Sequence, residues 1–139
     1  MRAFIRFNQG ILTMPIHWKL WLGILVGANF VAPLCFIETV EAKAVIGAFL
    51  VGTGLMTFLT ARFGFSRILG LGHVAWIPLL AFLLPRCADI PAEDSFGIWL
   101  RVLIVLNSAS LVIDAIDVVR YVRGERGETV PSVEPARDV

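Results

Sequence analysis

Along the chain, long apolar stretches alternate with short clusters of charge. Residues 20–37, 44–61 and 68–85 contain no Asp, Glu, Lys or Arg. Residues 96–119 carry charge only near their two ends, Arg101 at one and Asp114 and Asp117 at the other. A helix needs about 20 apolar residues to cross the hydrocarbon core, with a working range of about 17–25, and each stretch meets that length. Backbone in lipid must satisfy its own hydrogen bonds, which makes helix the conformation for such runs. The pattern predicts an all-α polytopic membrane protein, an antiparallel bundle of four transmembrane helices near 18–37, 44–61, 68–85 and 96–120.

The flanks divide the rest. Residues 1–17 form a cytoplasmic or interfacial N-terminal segment, in which Phe4, Ile5, Phe7, Ile11 and Leu12 beside Arg2 and Arg6 suit the membrane surface. Gly10 argues against one continuous helix there. Residues 18–122 form the transmembrane domain, and 123–139, with Pro131 and Pro135, a disordered polar cytoplasmic tail. The first apolar stretch is longer than a signal-peptide core and no small-x-small site follows it. In its VAPLC sequence the bulky Leu34 precedes Cys35 where a lipoprotein site wants a small residue. It is read as a retained helix. Short loops at 38–43 and 62–67 make consecutive helices neighbours, and Asp94 or Ser95 is placed to cap the fourth helix.

Charge sets the expected orientation. Arg2, Arg6, Lys19, Arg62, Arg67, Arg120, Arg123, Arg126 and Arg137 fall on one side, against Lys43, Arg86 and Arg101 on the other. By the positive-inside rule both termini are cytoplasmic, in a bacterial inner (plasma) membrane. Trp18, Trp21, Trp99 and Tyr121 fall near helix ends, as interfacial aromatic residues do. Composition agrees with the pattern: at 58% hydrophobic and 17% charged over 139 residues, a water-soluble fold could not hide its apolar surface. A net charge of +1 offers nothing for nucleic acid.

The polar residues inside the apolar stretches carry the candidate chemistry. Asn107, Ser110, Asp114 and Asp117 share one face of the fourth helix. Thr53, Thr57 and Thr60 make a stripe on the second, the third offers His73 with Trp76 and Leu80 on its side, and the first offers Asn29. Polar groups in membrane helices turn toward each other rather than toward lipid. At 1.5 Å per residue, Asp114 and His73 each lie roughly 9 Å from the basic end and Thr57 about 7–8 Å. A buried polar cluster of His73, Asp114, Thr57, Asp117, Asn107 and Asn29 is therefore expected, with His73–Asp114 as its central pair and Asp117 reaching Arg62, Arg67 or Arg120. The structural reading, an ion pair that fixes how helices dock, outweighs the functional one for both aspartates. Gly23 and Gly27 on the first helix, and Ala44, Ala48 and Gly52 on the second, are small-residue faces for close packing, the former better suited to packing within the chain than to dimerisation. Pro33 and Pro78 should kink their helices, and Pro78 frees the carbonyl of Val74 beside His73.

Cys35 and Cys87 both fall near the outer ends, where a disulfide is geometrically allowed but not required. Two His and two Cys at different depths do not make a metal or haem site, no phosphate-binding loop is present, and no cofactor is expected. Ser110, His73 and Asp114 have the residue types of a catalytic triad, but Ser110 and Asp114 are one turn apart on one helix and no oxyanion donors are evident. No enzyme is expected. The two halves do not resemble each other, which argues against an inverted-repeat transporter within one chain. Two readings stand. The preferred one is a non-enzymatic accessory or structural subunit whose partners are the lipid bilayer and a larger membrane protein. The other is a homo-oligomeric proton- or cation-linked transporter or channel using His73 and Asp114.

Overall fold

The structure, a computed structural model, describes residues 2–125 and Gly127. The tail expected to be disordered lies otherwise outside the described residues, with Arg126 and Arg137. So do the side chains of Arg2, Phe4, Arg6 and Phe7. The described chain is all-helical. Four of its helices are long and apolar enough to cross a membrane: Ile16–Phe36, Val40–Phe63, Arg67–Asp89 and Ser95–Val122, of 21, 24, 23 and 28 residues. Their outward side chains, among them Leu50, Val51, Ile77 and Val105, are more than half exposed. In water that surface would drive aggregation; in lipid it is the solvated face.

Before these comes α1, Arg2–Thr13, which is continuous through Gly10. The expected break is absent because Gly10 lies against the Phe65 ring, where any Cβ would collide. The contact anchors α1 on a small apolar cluster built on Leu59 and Leu69, with Ile11, Met56 and Phe65 around it.

The first candidate span is not a uniform helix. It begins as α2, Ile16–Val26, widens into a π turn over Gly27–Val31, and tightens into a 3-10 stretch over Ala32–Phe36. Pro33 explains the change of pitch. In the widened turn Ala32 donates to the Gly27 carbonyl, and the Ala28 carbonyl would pair with residue 33, which as proline has no N–H. Trp99 supplies the missing donor, its indole Nε1 reaching the Ala28 oxygen at 3.0 Å. Trp99, near the start of α5, is thus buried against the first span.

The second span, α3, runs Val40–Phe63, four residues earlier than the apolar run implies. Thr39 holds its N-cap, accepting from the Ala42 amide at 3.2 Å, with Glu41 in the first turn where it complements the helix dipole. The third begins as a nine-residue 3-10 helix, Arg67–Ala75, and becomes α4, Trp76–Asp89. Pro78 sits in the first turn of α4, the part of a helix that best tolerates proline. The helix also overruns the expected end at 85, carrying Pro85 inside it.

The last span, α5, covers Ser95–Val122. Asp94 occupies its N-cap position, but without a side-chain cap hydrogen bond. Arg101 instead reaches across to the end of α4, donating to the carbonyls of Cys87 at 3.1 Å and Ile90 at 2.9 Å while also binding its own Gly97 carbonyl at 3.1 Å. The Cys87 and Ile90 carbonyls have no helical donor, and the guanidinium fork satisfies both at once. At that end Arg86 also pairs with Glu41 at 3.0 Å, tying α4 to α3. The main core lies between these elements, with Val45, Leu79, Leu83, Leu100 and Leu103 buried together.

Gly52 marks the closest approach of α3 to the 3-10 helix: a Cβ there would stand 2.9 Å from the Gly72 carbonyl oxygen. A Cβ at Gly23 or Gly27, by contrast, would meet nothing within 4 Å among the described residues. Their face does not pack within the chain, whereas Ala44, Ala48 and Gly52 do pack. Gly52→Ala should therefore cost about 1–3 kcal/mol through overpacking against backbone, while Gly23→Ala should be neutral or slightly stabilising through helix propensity. Reversible unfolding of both variants in mixed micelles checks the contrast.

Candidate functional site

A 3-10 helix has three residues per turn, so every third side chain lies in one straight line. The segment RILGLGHVA, residues 67–75, uses all three lines. Arg67, Gly70 and His73 face α5. Leu69 and Gly72 are buried toward α3. Leu71 and Val74 are exposed. An α-helix would fan the first set around its axis; the tighter pitch aligns it with the polar face of α5.

The contacts follow in order. Arg67 Nη1 meets Asp117 Oδ1 at 2.7 Å. Gly70 brings its backbone against Asp114, where a Cβ would stand 3.0 Å from the Asp114 Cβ. His73 Nδ1 meets Asp114 Oδ2 at 2.7 Å, with both side chains largely buried. Ser110 Oγ sits 3.5 Å from the same Oδ2, a weak contact at best. The imidazole stacks on Trp76, ring centres 3.9 Å apart. Farther along α5, Asn107 and Asn29 exchange amide hydrogen bonds at 2.8 and 2.9 Å and are wholly buried. Asn29 also donates to the Leu25 carbonyl at 3.0 Å. One face of α5 thus carries a line of polar pairs, from a neutral amide pair to an ion pair near the helix end.

Past α5, Glu125 closes the line. It accepts from Arg120 at 2.8–3.0 Å and lies 3.4 Å from Arg67 Nε. The hydrogen bond from Arg120, reinforced by the positive charges of Arg120 and Arg67, holds the Glu125 carboxyl below its ordinary range. Its stabilising contribution is present above the ordinary carboxylate pKa and is lost as pH falls through the lowered value. Because the pair is open to solvent, the contribution is small.

Beside this line lies a cavity of about 520 Å³. From α2 it is lined by Trp18, Trp21 and Leu22, from α5 by Ile113 and Ile116, and before α2 by Ile11 and Met14. His73, Asp114, Asp117 and Arg67 form its polar side. Ser66 borders it too, with its hydroxyl buried out of reach of the cavity and without a hydrogen-bond partner among the described residues. The cavity exists because the first span packs closely only from its π turn onward. Over Ile16–Val26, Leu25 is the only buried side chain.

Of the expected cluster, the structure brings together His73 with Asp114, and Asn29 with Asn107. Asp117 meets Arg67 rather than Arg62. Thr57 does not join them: its hydroxyl bonds the Thr53 carbonyl of its own helix at 2.9 Å, and Thr53 and Thr60 bond theirs to Phe49 and Met56. A β-hydroxyl in an apolar helix finds the carbonyl one turn back as its nearest acceptor. Cys35 and Cys87 are free thiols, not a disulfide. Among the described residues no three His, Cys, Asp or Glu side chains converge as metal ligands would. Sequence reasoning missed Gly70, Ser66 and the capping role of Arg101. A period of three in 67–75, with bulky residues at 68, 71 and 74 and glycine at 70 and 72, is the signal that could have found Gly70. Comparisons with protein-family models, with curated proteins and with solved structures find no match to this chain.

Two double-mutant cycles test the pairing. Asn107→Leu alone strands the Asn29 amide in an apolar core and should cost about 1–2 kcal/mol, with most of it recovered in the Asn29→Leu/Asn107→Leu double variant. Asp114→Asn and His73→Ala should each destabilise, and combining them should add little. Unfolding in mixed micelles reads both cycles.

Proposed function

We propose that this chain is a small, non-enzymatic integral membrane protein that acts as an accessory or structural subunit of a larger membrane assembly. In this reading its helices form an antiparallel bundle in a bacterial inner membrane with both termini cytoplasmic. The observation that carries the proposal is the pairing along α5: His73 with Asp114, Asp117 with Arg67, and Asn29 with Asn107. Each of these six side chains is answered by one on another span, as a docking device requires. Beyond Asn107, toward Arg101, the interior is filled by Trp99, Leu100, Leu103, Leu79 and Leu83. A single copy thus has a polar interior in one half only, which fits a scaffold better than a conduit. The order of groups also speaks against hydrolytic chemistry. Asp114 lies between Ser110 and His73, whereas a triad needs the imidazole between the carboxylate and the hydroxyl.

The second reading, a homo-oligomeric proton- or cation-linked transporter, is favoured by one observation: the His73–Asp114 pair lines the cavity rather than being sealed away. Extraction into mild detergent followed by native mass spectrometry separates the two. The accessory reading expects a defined complex with a different polypeptide. A homo-oligomer whose reconstituted proton flux disappears in Asp114→Asn would replace it. Orientation has its own check, in a background where Cys35 and Cys87 are replaced by Ala. A membrane-impermeant maleimide added outside intact spheroplasts should label Ala92→Cys, and should label Gly127→Cys only after lysis. The reverse pattern would invert the topology.

A further inference from the structure

We propose that the cavity between α2 and α5 is a binding site for an uncharged, hydroxyl-bearing amphiphile drawn from the membrane, of the quinol or neutral acylglycerol class. The size, about 520 Å³, lies within the usual range of small-molecule sites, and its make-up, apolar walls with a few converging polar groups, is the usual one. The entry is lateral. The inner stretch of α2 buries only Leu25 and stands off α5, so a chain lying between Leu22 on one side and Ile113 and Ile116 on the other remains continuous with lipid.

The polar wall selects the head group. Arg67 is already neutralised by Asp117 and Glu125, so an anionic head would have to displace a carboxylate held at 2.7 Å. A cationic head would face Arg67 and Arg120 in the lining, and the carboxylates there, Asp114 and Asp117, are already engaged by His73 and Arg67. A neutral head meets neither obstacle. The His73–Asp114 contact then decides the hydrogen bonding. With Asp114 ionised, a 2.7 Å contact requires the proton to be on Nδ1 of His73. In the neutral imidazole Nε2 then carries the lone pair, has no protein partner among the described residues, and is an acceptor for an O–H donor. Trp18 and Trp21 give a flat ring or a glycerol backbone aromatic faces to lie against.

This inference rests on the membrane placement proposed above but not on the accessory role. A chain absent from the membrane fraction would remove that placement, whereas the following outcomes bear on the site alone. The full chain in zwitterionic-lipid nanodiscs is titrated with three probes: a decyl-tailed quinol, the matching quinone and monodecanoylglycerol. Binding is read as a rise in Tm and as retained mass in native spectra. At least one hydroxyl-bearing probe should bind saturably, and the quinone, alike in shape but lacking the O–H donor, should bind about tenfold more weakly than its quinol. A preference for quinol or for monodecanoylglycerol names the source of the ligand. Ile113→Trp, which fills the cavity without touching the ion pair, should abolish binding, as should His73→Phe, which keeps the stack on Trp76. Leu22→Trp replaces either variant if its helical circular dichroism is lost. Equal binding of quinol and quinone, competition by phosphatidylglycerol, unchanged affinity in the cavity-filled variant, or no saturable binding would each overturn the proposal.

Discussion

The architecture depends on nine residues that do not form an α-helix. In Arg67–Ala75 the chain turns once every three residues, and this alone sets Arg67, Gly70 and His73 in a row against α5. Runs of this length are uncommon because 3-10 hydrogen bonds are poorer than α ones. Here the geometry is held from both sides. Gly72 presses its carbonyl onto Gly52 of α3, and Gly70 presses onto Asp114 of α5. A side chain at either glycine would push the segment away from one neighbour, and with it the Arg67–Asp117 ion pair and the His73–Asp114 hydrogen bond.

A second economy concerns backbone. In a lipid environment an unanswered carbonyl is expensive, and two irregularities in the spans leave such carbonyls. Pro33 strands Ala28, and the end of α4 strands Cys87 and Ile90. Each is answered by a side chain of α5, Trp99 in the first case and Arg101 in the second. With Asn107, Asp114 and Asp117 doing the same for side chains of other spans, α5 is the element against which the rest of the molecule is registered. That explains why a helix otherwise so apolar tolerates charge near both ends.

What could be read from the chain follows from what each interaction looks like in sequence. Charge-free runs long enough to cross a bilayer announce themselves by length, and the four apolar helices lie where those runs lie. Shared helical faces are visible through 3.6-residue spacing, which singled out Asn107, Ser110, Asp114 and Asp117. The depth argument for His73 treated the third span as α throughout, whereas 3-10 rise places His73 roughly 12 Å from Arg67 instead of about 9 Å. Thr57 was drawn into the cluster by that same level-matching, and its hydroxyl chose the local backbone. The cavity left no mark at all, since an empty space between two apolar walls has the same composition as a packed one. Arg101 read as a charge at a helix end, because nothing local reveals that its partners are carbonyls of another helix.

The measurement closest to the centre of this account is a solid-state NMR distance in lipid bilayers, with His73 ring nitrogens and the Asp114 carboxyl carbon isotopically labelled. Contact at 2.7 Å between Nδ1 and Oδ2 predicts strong dipolar coupling from the carboxyl carbon to Nδ1, with the proton on that nitrogen. Absence of coupling, with His73 protonated on Nε2 alone, would mean that the 3-10 segment does not present its face to α5, and the register built on it would fall.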